Sequence, residues 1–270
     1  MIKSKNILIL QGGNNEEHEI SLNTAEEVEK ALIKLGHRPQ LLNIVPNNFL
    51  KDIKKYKPDI CFNALHGTFG EDGQIQKILY DLKIPFTHSG IKASKIAFDK
   101  EKTKAAIMKK KILVPISEAI NSRDIKYEKI LLYYKKFSSL VLKPSKSGSS
   151  YGVNFIKSKK DLLNIPNYEE HKRVIIEKYI EGKELTVTVL NIDNEIRAIE
   201  VTEIETNNDF FDYEAKYTKG LSRHIMPAKI PKNIYDLCLS NAEKVHKIIG
   251  CKGVTRSDFI YDEKRNKLYF

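Results

Sequence analysis

An α/β fold is predicted, with a parallel-sheet unit at the N-terminus and a region of helices and antiparallel strands after it. Three stretches predict it. The first is Asn6–Leu10 (NILIL), a short buried-type strand that runs into Gln11-Gly12-Gly13, then a helix, then another β-type run at Gln40–Val45. Strand, glycine turn, helix and strand in that order begin a βαβ unit. The second is Asp59–Leu65 (DICFNAL), a further parallel-type strand that ends in a loop rich in glycine and carboxylate. The third is Leu140–Ile156 (LVLKPSKSGSSYGVNFI), two β-type runs joined by serines and glycines, which reads as an antiparallel hairpin.

The elements follow in order. The first helix carries Ala25, Val28, Ala31, Leu32 and Leu35 on one face; Thr24 with Glu27 fits a capping box, and Gly36 fits the stop. The turn Gly12-Gly13 is not followed by GxGxxG, so a dinucleotide fingerprint is excluded. After Asp59–Leu65 comes His66 and the loop Gly67–Gly73, then a helix over Gln74–Lys83. Loops at the carboxyl ends of parallel strands line the ligand crevice of open α/β sheets. Glu17, His66 and Glu71 lie on such loops and are expected to converge. Pro85–Ser89 reads as one more short strand and Ala93–Phe98 as a short helix. Composition shifts near residue 97, where a basic helix begins (Lys100–Lys111) that reads as a solvated face.

The hairpin at Leu140–Ile156 follows a helix at Lys126–Phe137. Its tip offers many backbone N–H groups and little side-chain bulk, a good lid for polyphosphate, with Lys143 as a point charge at the strand end. Arg173–Ile180, Leu185–Leu190 and Asn194–Val201 continue as strands, and Asn207–Tyr217 is a polar, aromatic loop. Pro231 to Gly250 is a helix marked by its proline start and glycine end. Gly253–Tyr261 and Lys267–Phe270 make a closing hairpin. Arg256 and Asp258 are expected on a buried strand, where their charges need a partner, a ligand or a metal.

The 270 residues suffice for a large core, and 30% charged with 41% hydrophobic residues describes a globular chain. The net charge of +11 invites a nucleic-acid partner, but 46 basic residues interleave with 35 acidic ones and no nucleic-acid motif is present. No nucleic acid and no membrane are expected as partners. Cys61, Cys238 and Cys251 stand singly, without CxxC spacing, as reduced core residues, and a cytoplasmic location is expected.

Seven stretches run along nearly the whole chain: QGGNNEEHEISL, NALHGTFGEDGQIQ, SGIKASKIAFDKEKTK, VLKPSKSGSSYGV, IIEKYIEGKELTV, FFDYEAKY and GVTRSDF. Together they resemble the bacterial D-alanine–D-alanine ligases of the ATP-grasp superfamily. The resemblance implies a Rossmann-like substrate-binding domain over 1–97. It implies an ATP-grasp central lobe with the Ser/Gly lid over 98–180, and an incomplete C-terminal ATP-grasp lobe over 181–270. The implied activity is ATP-dependent, ADP-forming ligation of two D-alanines through an acyl phosphate, for peptidoglycan precursors, by a cytoplasmic homodimer using magnesium, or manganese in its place.

By the same resemblance Glu17 matches the carboxylate that holds the first D-alanine's ammonium, with His66 beside it and Glu71 a structural acid nearby. Lys100 and Lys143 match phosphate contacts, Glu177 and Tyr179 the adenine hinge, and Glu184 the ribose acid. Ser149 and Tyr217 match residues that, with Glu17, link lid and substrate. Lys216 matches the contact to the transferred phosphoryl group, Arg256 the oxyanion-stabilising arginine, and Asp258 a magnesium ligand. Tyr217, rather than Phe, resembles the alanine-forming type more than the lactate-forming type.

Ser147 stands where the family has Glu, and Tyr151 where it has a smaller aliphatic residue. The family also continues past a strand like Lys267–Phe270 into a Glu-x-Asn-x-x-Pro-Gly segment that this chain does not reach. A weakly active or inactive chain that keeps the nucleotide framework is therefore an expectation as well. Its alternatives are another ATP-grasp carboxylate–amine ligase and a nucleotide-binding remnant.

Overall fold

Two compact units make up the computed structural model, which describes residues 4–193, 195–206 and 222–270. Unit 1 comprises residues 1–98 with 250–253, and unit 2 comprises 99–249 with 254–270. Among the described residues no helix is long and apolar enough to cross a membrane.

In unit 1, strand β1 (Asn6–Gly12) lies between β2 (Arg38–Ile44) and β3 (Ile60–Asn63), parallel to both, with Leu8 opposite Gln40 and Cys61. Its run of buried apolar residues follows from burial on both faces. Ile9 packs with Ala25 of helix α1 (His18–Lys34) and with Ala64. Leu8 and Leu10, pointing the other way, meet Phe49 and Ile53 of α2 (Phe49–Ile53) and Ile75 and Leu79 of α3 (Gln74–Asp81). Helix α4 (Ile91–Ala97) closes the unit's main segment.

Three expectations change here. Helix α1 begins at His18, so Thr24 lies inside it and caps nothing; Thr24 Oγ1 instead sits 3.0 Å from His66 Nε2. The early start is fixed by Ser21, whose hydroxyl accepts from Gly12 N–H (2.9 Å) and donates to the Ala64 carbonyl (2.8 Å). The expected strand Pro85–Ser89 shrinks to a single parallel bridge, Phe86 to Cys61, before His88 turns the chain with φ 70°. The third change concerns Arg256 and Asp258, in unit 2.

Unit 2 starts with helix α5 (Lys100–Met108), capped by the Asp99 carboxylate accepting from Lys102 N–H. Its first sheet has the order β4 (Ser117–Asn121), β7 (Arg173–Lys178), β5 (Leu140–Pro144), β6 (Asn154–Ile156), all antiparallel, with helix α6 (Tyr127–Phe137) on one face. The β5–β6 pair is the hairpin expected from the Ser/Gly stretch. The second sheet has the order β10 (Ser222–Ile225), β9 (Glu195–Thr206), β8 (Lys183–Ile192), β11 (Val254–Asp262), β12 (Lys267–Tyr269). Helix α7 (Lys232–Ile249) covers one face, with Ile234, Cys238 and Ala242 against Val187, Val201 and Phe259.

Strand β11 alternates: Ser257 and Phe259 are buried, whereas Arg256 and Asp258 leave more than half of their side chains exposed on the opposite face. The expectation that these charges are buried is thus wrong, because a strand with one covered face puts every second residue outward. The cysteines are free and buried, and burial pushes the Cys61 and Cys238 thiols up to about 12.

Candidate active site

Unit 2 contains a cavity of about 390 Å³ whose lining draws on both of its sheets. Lys143 stands at the end of β5 and Lys100 at the start of α5. Glu177 and Tyr179 come from β7 and its exit, Glu184 from β8, and Arg256 and Asp258 from β11. Val141, Phe155, Leu185, Ile204 and Phe259 give the cavity apolar wall. Apolar wall beside lysines suits a ligand with a flat apolar part and an anionic part.

The lid loop between β5 and β6 enters the same lining through Ser147, Gly148, Ser149 and Ser150. Ser149 and Ser150 hold positive φ of 42° and 61°, which turns the chain back on itself. Such conformations strain a non-glycine residue and persist where surrounding bonds fix them. Those bonds are Tyr151 N–H to the Gly148 carbonyl (2.9 Å), Ser147 Oγ to the Tyr151 carbonyl (2.8 Å) and Tyr168 Oη to the Gly152 carbonyl (3.0 Å). Lys100 Nζ donates to the Ser147 carbonyl at 2.6 Å, so a cation already crosses from α5 to the lid. Tyr151 does not disrupt the turn; its ring stacks edge-on to His171 at 6.5 Å.

Glu177 is the electrostatic centre of the cavity. Its Oε1 accepts from Lys143 Nζ at 2.7 Å, and its Oε2 pairs with Lys104, whose Nζ also donates to Ser117 Oγ at 2.9 Å. Burial alone would raise the Glu177 carboxyl, but Lys143 and Lys104 outweigh it and hold the group below the usual carboxylate range. Burial draws the Lys104 ammonium down, with the Glu177 charge opposing. Lys104 was read as part of a solvated basic run. It stands three residues before the buried Ile107, but the lysines around it hide that spacing.

On β11, Arg256 donates to Asp258 through Nε (3.0 Å) and Nη2 (3.1 Å), and Thr186, directly across on β8, donates to Asp258 Oδ1 at 2.8 Å. Among the described residues no three His, Cys, Asp or Glu side chains gather to hold a metal. Asp258 offers one partly solvated carboxylate whose two oxygens already accept from Arg256 and Thr186, so a hard cation there would share those oxygens and take the rest of its ligands from phosphate and water. Thr186 is a further residue that sequence reasoning passed over; only the register of β8 on β11 reveals it.

Unit 1 holds a separate cluster on the loops after β1 and β3. Asn15 Nδ2 donates to the carbonyls of His66 (2.9 Å) and Thr68 (3.0 Å), stitching the two loops together. Glu17 is buried, and the backbone N–H of Gly67 donates to Glu71 Oε2 at 2.8 Å. Gly67 has φ +69°, which favours glycine, and a Cβ there would lie 2.6 Å from Glu17 Oε2 and push the carboxylate aside. The loops that carry Glu17, His66 and Glu71 lie side by side, and Asn15, which the sequence did not single out, holds them together. Lys216 and Tyr217 lie outside the described residues.

Residues 108–270 match the family model described as D-ala D-ala ligase C-terminus. The D-alanine–D-alanine ligase of Rickettsia canadensis is 41% identical over 269 residues, which are 98% of this chain and 73% of that protein. A crystal structure of D-alanine–D-alanine ligase from Bacillus anthracis superposes with a TM-score of 0.81 at 26% identity, covering 98% of this chain and 85% of that one. Another from the same organism, complexed with ATP, gives a TM-score of 0.79 at 22% identity, covering 98% and 84%, and shares the fold.

Proposed function

The chain belongs to the D-alanine–D-alanine ligase family, and from that premise we propose how its residues divide the chemistry. The reaction is ATP-dependent ligation of two D-alanines to D-alanyl-D-alanine, which relatives with other substrates or a catalytically silent remnant would not share. The observation that carries the division is the cavity of unit 2, where Lys100, Lys143, a serine-rich lid and an arginine–aspartate pair line one space. The ATP phosphates are held by Lys100 and Lys143 and by Lys216. Adenine rests at Glu177 and Tyr179, and ribose at Glu184. Glu17 holds the ammonium of the first D-alanine beside His66, with Glu71 supporting the loop.

A carboxylate oxygen of the first D-alanine attacks the γ-phosphorus, and ADP leaves. The amine of the second D-alanine then attacks the acyl carbon and loses a proton, and inorganic phosphate leaves with the oxygen that came from the carboxylate. Lysines that neutralise the phosphoryl oxygens supply most of what a protein can contribute to the first step. Arg256 faces the charge that develops on the acyl oxygen in the second. Ser149 and Tyr217 join the lid to the substrate side, and the closed lid keeps water from the acyl phosphate. Asp258 is the protein's carboxylate for magnesium, or manganese in its place; when bound, the ion neutralises phosphate charge. The setting we infer is a cytoplasmic homodimer with 98–180 and 181–270 as its two ATP-grasp lobes, making peptidoglycan precursor.

D-Alanine labelled with ¹⁸O in its carboxyl group tests the route. The expected result is one ¹⁸O in inorganic phosphate for each dipeptide formed. Unlabelled phosphate, or AMP and pyrophosphate in place of ADP and phosphate, would overturn the acyl-phosphate route.

A further inference from the structure

Glu177 carries two lysines on one carboxylate, and only one of them reaches the cavity. Lys143 lines the cavity, whereas Lys104 stands behind Glu177, nearly buried, and is anchored by Ser117 on the neighbouring strand. Glu177 is fixed in turn, because β7 pairs it with Ser117 of β4 on one side and Val141 of β5 on the other. Lys143 and Lys104 bring two positive charges to one negative charge, so the trio has one cation to spare.

We propose that Lys104 is a positioning residue that lets Lys143 change partners. It holds the charge of Glu177 so that Lys143 can turn from Glu177 to the phosphates of an incoming nucleotide. Two physical facts carry this. A buried carboxylate stripped of its counter-ion is strongly disfavoured, so Lys143 can leave Glu177 only if another cation stays. Lys104 is that cation: neither Lys104 nor its anchor Ser117 lines the cavity, so an occupant of the cavity has no need to displace it from Glu177. Without Lys104, Lys143 has to serve Glu177 and the phosphates in turn, and the nucleotide loses a contact it cannot replace. The proposal rests on the nucleotide reading of the cavity.

The test is titration calorimetry of the full chain with ATP and, separately, with adenosine, which lacks phosphates. Failure of the unaltered chain to bind ATP would sink the nucleotide reading itself and is thereby separated from the outcomes that follow. K104M is expected to weaken ATP by about 10-fold or more while adenosine changes less than about twofold. K104R, which restores the cation, is expected to return the ATP-to-adenosine affinity ratio to within about threefold of the original. The double variant K104M/E177Q removes the carboxylate that competes for Lys143 and is expected to recover most of the ratio lost in K104M. It also leaves no stripped charge behind, so it gives a reading if K104M folds poorly. Equal losses for ATP and adenosine in K104M, or an ATP-to-adenosine ratio in the double variant no better than in K104M, would show a merely structural lysine and overturn the proposal. An ATP affinity unchanged in K104M would overturn it too.

Discussion

Replacing Arg256 with methionine is expected to lower kcat for dipeptide formation by about 100- to 1,000-fold, the usual loss for one oxyanion donor. The guanidinium is held in its plane by two bonds to Asp258, which Thr186 fixes from the adjacent strand, so it meets the developing charge already oriented. Methionine keeps the aliphatic stem and removes the charge. More than half of the Arg256 side chain is exposed, so the folding stability lost should be only about 0.5 kcal/mol or less. Affinity for ATP should change far less than kcat, since Lys100 and Lys143 remain. R256K should recover part of the rate and no more, because an ammonium lacks the planar fork that Asp258 holds in orientation. A drop in kcat of less than about 10-fold in R256M would remove Arg256 from the acyl-transfer step.

Gly182→Ala should destabilise the chain by about 3 kcal/mol, at the upper end for forcing atoms into a packed site. A Cβ on Gly182 would lie 2.2 Å from the Tyr261 carbonyl oxygen and 2.7 Å from its carbon. Both are backbone atoms of β11, and no rotamer change can move them. Relief requires parting β8 from β11 where Lys183 pairs with Tyr261, beside the cavity. The melting temperature should fall by roughly 6–10 °C, and ATP affinity should fall with it. Gly90→Ala is the control: the added carbon meets nothing within 4 Å, and its φ is −79°. Similar melting temperatures for the two variants would refute the close-contact account.

Much of this fold was legible because apolar periodicity and turn chemistry act locally. NILIL announced a strand covered on both faces, Pro231 and Gly250 bracketed a helix, and the Ser/Gly run between β-type stretches announced the lid hairpin. The first helix began earlier than expected because its opening turn is polar. Ser21 serves the strand ends rather than the core there, and periodicity registers only core faces. Burial of Arg256 and Asp258 was misjudged because a strand sequence does not tell which face is covered. Alternation needed the position of α7 to be read correctly.

At the site, residues on the stretches that resemble the family were legible one by one, while their supports were not. Asn15, Lys104 and Thr186 act through partners 51, 73 and 72 residues away along the chain, and no local pattern carries such pairings. Lys104 in particular was camouflaged by the lysines around it. Its role depends on Glu177, which only the pairing of β7 with β4 and β5 brings within reach.

The most direct measurement is ADP release from ATP and magnesium in the presence of D-alanine or of L-alanine. Release that depends on D-alanine, with L-alanine near background, is the predicted result. Release that is the same for both stereoisomers, or that D-alanine fails to stimulate, would contradict the account.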